Sequence, residues 1–150
     1  PQITSLHLLG LTSNRNVDLM LSASTSLASL SISDYNLHLL NDLSSTIIKD
    51  RVEVLRVELS FRGIDVTKFV ECIAGSKVMK KITLDRPTTI SSVEMPGETL
   101  TKMKKVVEAC KKKETIELWK GNYPVNGKVD LDADIVSFSL ITVGPSFLLD

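Results

Sequence analysis

Several things are scarce in this 150-residue chain, and each scarcity excludes something. Net charge is absent: 18 lysines and arginines face 18 aspartates and glutamates. No global field therefore argues for a nucleic-acid partner. Only two cysteines occur, Cys72 and Cys110, too few for a disulfide framework and on the apolar sides of two predicted helices. Only two histidines occur, His7 and His38, neither with a Cys, His or carboxylate at metal-ligand spacing. G-x-S-x-G, H-E-x-x-H, C-x-x-C and glycine-rich phosphate loops are missing. The expectation is a protein that is not an enzyme and needs no cofactor or metal. No run is apolar and long enough for a signal peptide or a membrane span. Aromatics make up 5% of residues, so leucine, isoleucine and valine must build the core.

What is present is a spacing. Leu27-Ala28-Ser29-Leu30-Ser31-Ile32 reads L-x-x-L-x-I, and the pattern returns as Ile3-Leu6-Leu8, Val52-Leu55-Val57, Met79-Ile82-Leu84 and Ile135-Phe138-Leu140. Ile116-Leu118 is a weaker copy led by Lys113. In a strand, side chains alternate between faces, so the last two apolar positions of each copy share one face and the residues between them face outward. The leading positions start 24, 25, 27, 34 and 22 residues apart. One insertion and one deletion around the fifth copy account for the last two steps.

Helical patterns fill the gaps. Asn14 or Asn16 is placed to cap a first helix with Val17, Met20 and Leu21 on its apolar side. Leu40, Leu43 and Ile47 recur at helical spacing through about Lys49. Val66, Phe69, Val70 and Ile73 form an amphipathic stripe ended by Gly75. Arg86 to Glu98 reads as an inserted loop, and a helix from Thr99 to Lys113 follows it. That helix holds six lysines against Glu108 alone. The lysines read either as a solvated outer face or as a patch for an anionic ligand. Asp130, Asp132 and Asp134 lack the glycine and distal glutamate of a calcium loop and read as an acidic turn.

Periods of 20–29 residues carrying L-x-x-L-x-L mark leucine-rich repeats. Over nearly its whole length the chain resembles that superfamily, and its strand–helix alternation is similar to the ribonuclease-inhibitor-like class. The usual Asn or Cys after the strand is missing: Leu11, Tyr35, Ser60 and Pro87 stand there. The resemblance implies an α/β leucine-rich repeat solenoid, with a parallel β-sheet on the concave side and helices on the convex side. Residues 1–150 then form a single leucine-rich repeat domain of about six repeats. Its first strand starts without a polar cap, so a fragment or the terminal part of a larger array is expected, with edge-to-edge association through the uncapped ends.

Absent cysteine caps and N-x-S/T sequons point to a cytoplasmic location. The implied function is non-catalytic recognition of a protein partner through the exposed strand face. The class is similar to the repeat arrays of NLR-type innate immune receptors. Alternatives are the substrate-recognition domain of an F-box-type ubiquitin ligase adaptor, the actin- and GTPase-regulating repeat proteins, and an anionic ligand on helix 99–113. Stacking the copies gives a middle outward row of His7, Ser31, Arg56, Thr83, Glu117 and Ser139. The candidate partner-binding residues are Arg56, Glu58, Lys81, Asp85, Glu117 and Trp119, on strands three to five. Trp119, the only tryptophan, either faces outward among them or tucks under the crossing from Lys120 to Lys128.

Overall fold

A computed structural model of the chain describes residues 3–8, 13–58, 65–85, 97–121 and 127–128. The strands are β1 (Ser5–Leu8), β2 (Ser29–Ser33), β3 (Val54–Glu58), β4 (Lys81–Asp85), β5 (Glu117–Gly121) and β6 (Gly127–Lys128). They form one sheet in the order of the sequence. The first five are parallel, and β6 closes back antiparallel on β5, with Trp119 opposite Lys128. Between the strands lie α1 (Asn14–Ala23), α2 (Asp34–His38), α3 (Asp42–Arg51), α4 (Thr67–Gly75) and α5 (Gly97–Lys112). The architecture is α/β, as expected, because each parallel neighbour requires a crossover connection.

Alternation along the strands builds the core. Leu30, Ile32, Leu55, Val57, Ile82 and Leu84 have no exposed surface and belong to one continuous cluster with Leu21, Ile48, Phe69, Ile73, Val106 and Val107 from the helices. The leading apolar residues Leu27, Val52 and Met79 are buried in it too. One backbone arrangement, repeated three times, holds the entries of β1 to β4 together. The carbonyl of Thr4 accepts the N–H groups of Ala28 and Ser29, that of Ala28 accepts Glu53 and Val54, and that of Glu53 accepts Lys80 and Lys81. Ser76 ties the bends to each other: its hydroxyl donates to the Lys49 carbonyl and accepts from the Met79 amide, while its own carbonyl accepts from Lys113 Nζ.

The helix starts follow capping chemistry. Ser13, not Asn14 or Asn16, caps α1 by accepting the Asn16 amide, and Asn41 caps α3 by accepting that of Ser44. Asn41 also resets the helical phase. The chain breaks after α2, so Leu40 is not in register with α3, whose buried side is Ser44, Ser45, Ile47 and Ile48. Leu43 is consequently 64% exposed rather than buried. Met20 is likewise 46% exposed, because Val17 and Leu21, four residues apart, define the inner side of α1. Cys72 and Cys110 are buried free thiols, and burial pushes them up to about 11 and about 12. Among the described residues no helix is long and apolar enough to cross a membrane. The expected last strand from Ile135, residues 86–96 of the expected Arg86–Glu98 insertion and the aspartates at 130–134 lie outside the described residues, while Gly97 and Glu98 open α5 instead of ending a loop.

Candidate functional site

The strand face turned away from the helices carries the polar residues. Strand pairing sets Ser5, Ser29, Val54, Lys81 and Glu117 in one row, and His7, Ser31, Arg56, Thr83 and Trp119 in the next. A third row holds Ser33, Glu58, Asp85 and Gly121. All six candidate residues therefore fall on the adjacent strands β3, β4 and β5, whose neighbours lie about 4.8 Å apart.

The fifth strand needs a correction. The copy Ile116-Leu118 led by Lys113 places Glu117 in the middle row and Ile116 beside Ile82. Instead Ile82 pairs with Leu118, Leu84 with Lys120 and Thr83 with Trp119. The cause is local: the Ile116 amide turns back to the Lys113 carbonyl, so only Glu117 reaches the Lys80 carbonyl and the strand begins later. Glu117 therefore stands beside Lys81, and Trp119 moves into the middle row. Exposure needs a second correction. Ser31, Thr83 and Asp85 were expected to face solvent, yet each is buried. Ser31 and Thr83 are short side chains set between larger ones, Ser31 between His7 and Arg56 and Thr83 between Arg56 and Trp119, while Asp85 is covered by Arg56 and the close approach of Gly121.

Two linked clusters result. In the first, Arg56 Nη1 lies 2.9 Å from Asp85 Oδ2; the arginine side chain is 48% exposed and the aspartate 7%. Burial raises the Asp85 carboxyl above its ordinary value, and the guanidinium pulls against that. Asp85 Oδ1 is buried with no hydrogen-bond partner among the described residues. Gly121 packs directly on this oxygen, leaving no room for a Cβ. In the second cluster, Lys81 Nζ sits 4.4 Å from the centre of the Trp119 ring. The Trp119 indole N–H donates to Glu117 Oε2 at 3.2 Å, and Lys128 Nζ donates to Glu117 Oε1 at 3.3 Å. These two hydrogen bonds, the indole's first, hold the Glu117 carboxyl below its ordinary value.

Trp119 is half-buried, standing on the strand face rather than in the core. Its ring carries an ammonium and its edge a carboxylate, so indole orientation is set from both sides. Glu58, half-buried, completes the outer row beside Asp85. Reading the residues alone missed Lys128, which only the antiparallel return of β6 brings to Glu117, and Gly121. A glycine two residues past the lone tryptophan was the available signal for the latter. The lysines of helix 99–113 do not join this site: Lys104, Lys105, Lys111 and Lys112 are exposed on α5, on the helix side of the sheet. Among the described residues no group of three or more His, Cys, Asp or Glu side chains could hold a metal ion. Set against family models, curated proteins and solved structures, the chain matches none.

Proposed function

We propose that the chain is a leucine-rich-repeat-type solenoid segment that recognises a protein partner, without catalysis, through the strand face of β3 to β5. The observation that carries the reading is the fixed presentation of Trp119 between Lys81 and Glu117, in the same patch as the half-exposed Arg56. Tryptophan and arginine are enriched among the residues that dominate binding energy, and a held side chain loses less entropy on association. Sequential parallel strands sharing one core, with a thrice-recurring backbone arrangement at their entries, support the solenoid part.

Arg56 is a poor probe of this proposal, because removing it also strips the partner from a buried carboxylate. The test uses Trp119→Ala combined with Glu58→Ala, compared with Lys104→Ala combined with Lys105→Ala. Proteins captured from cytosol by the wild-type chain are compared across both variants by quantitative mass spectrometry. The expected result is a partner lost with the strand-face pair, by about 2 kcal/mol or more of binding energy, and kept with the lysine pair. Loss with the lysine pair alone would move the site to α5.

A further inference from the structure

A second surface lies on the helix side, and its chemistry differs. Val66, just before α4, and Val70 and Ala74 within it face α5 at successive four-residue steps, and α5 answers with Lys105, Ala109 and Lys112. Ala74 and Ala109 are short, so the outer side of the packed α4–α5 pair is left unfilled, and a groove of about 490 Å³ opens there. That size lies within the roughly 300–1,000 Å³ of ligand-binding clefts. Its floor is aliphatic. Its rim carries three ammonium groups, Lys105, Lys112 and Lys113, against the carboxylates of Glu71 and Glu108. Lys113 is committed to the Ser76 carbonyl, whereas none of the described ion pairs uses Lys105 or Lys112. Lys104 and Lys111, both exposed on the same helix, extend the positive field.

From this geometry we infer that the α4–α5 groove docks an acidic amphipathic helix of a partner protein, apolar side chains down and carboxylates on Lys105 and Lys112. Three features select that occupant. The aliphatic floor rewards burial of apolar side chains at i, i+3 and i+4 spacing. The unpaired lysines complement carboxylates. A bilayer presents a flat surface and cannot reach a recessed floor, and a nucleic acid would find no aromatic ring for its bases. The inference is independent of the strand-face reading, which concerns the other side of the sheet.

The test is fluorescence anisotropy of the whole chain with three labelled probes: a helical peptide of leucine and glutamate, the same peptide with serine for leucine, and the same peptide with lysine for glutamate. Sedimentation with phosphatidylcholine–phosphatidylserine vesicles runs alongside. The leucine–glutamate peptide should bind and the other two should not. Ala74→Trp, at an exposed position, fills the groove, and Lys105→Glu with Lys112→Glu reverses the rim without filling it. Each should weaken binding by at least about tenfold, while Trp119→Ala changes nothing. Circular dichroism checks that both groove variants keep their helices, and the lysine pair carries the test if the tryptophan disturbs α4. No binding of the leucine–glutamate peptide, equal binding of the serine peptide, indifference to both groove variants, or binding to vesicles alone would each overturn the inference.

Discussion

Leu55→Ala should lower the unfolding free energy by about 2–5 kcal/mol in urea or guanidinium titrations. Leu55 has no exposed surface and sits at the centre of the sheet, flanked by Leu30 and Ile82 on the neighbouring strands. Truncation removes methyl groups from both interfaces, and the paired strands on either side hinder collapse of the hole. Leu43→Ala is the matched control. That side chain is mostly exposed at the start of α3, so its loss should cost less than about 0.5 kcal/mol. Had α2 and α3 formed one helix continuing the phase of Leu40, the two substitutions would cost similar amounts.

The second large effect concerns the buried carboxylate. At neutral pH, Arg56→Ala should cost about 1–3 kcal/mol, because Asp85 keeps its burial and loses its cation. The pH dependence has a definite sign. Burial raises the folded-state value of this carboxyl above its ordinary 3.8. A group raised in this way contributes stability that is present below its unfolded value and lost as pH rises through the folded one. Without the guanidinium the folded value rises further. The deficit of Arg56→Ala relative to wild type should therefore shrink on acidification toward pH 3.8 and be largest near neutrality. Asp85→Asn in the Arg56→Ala background should recover part of the loss at pH 7. Gly121→Ala should cost a similar amount, since a methyl there drives Asp85 off Arg56, and its effect should not add to that of Arg56→Ala. Strict additivity would show that the three residues do not form one unit.

The strand spacing was legible because it comes from a strong physical constraint. Leu30, Ile32, Leu55, Val57, Ile82 and Leu84 must share one face, and a one-residue slip would expose them all. Val66, Phe69 and Ile73 were legible for the same reason at helical period, although Val70 ends up half-buried, lining the groove. What escaped was decided by single hydrogen bonds. The turn from Ile116 to Lys113 shifted β5 by two residues, which moved Trp119 into the middle row and set Glu117 beside Lys81. Capping by Asn41 reset the phase of α3 and exposed Leu43. Neither event changes the hydrophobic pattern enough to be read from it.

Of the site, the membership of Arg56, Glu58, Lys81, Asp85, Glu117 and Trp119 in one patch followed from strand order alone. Which of them face solvent did not, because exposure depends on how far longer neighbours lean over short side chains. Thr83 between Arg56 and Trp119 is the example. The groove between α4 and α5 was illegible for a further reason: it is made by two alanines, Ala74 and Ala109, whose facing positions only the packing of the helices reveals.

The proposed strand-face recognition can be read out at its centre, because Trp119 is the only tryptophan in the chain. The measurement is its fluorescence, with acrylamide quenching, during titration with a captured partner. The account predicts a blue-shifted emission and a quenching constant that falls at saturation, as the partner covers the indole and displaces water from around Lys81 and Glu117. An emission spectrum and quenching constant unchanged at saturation would contradict it.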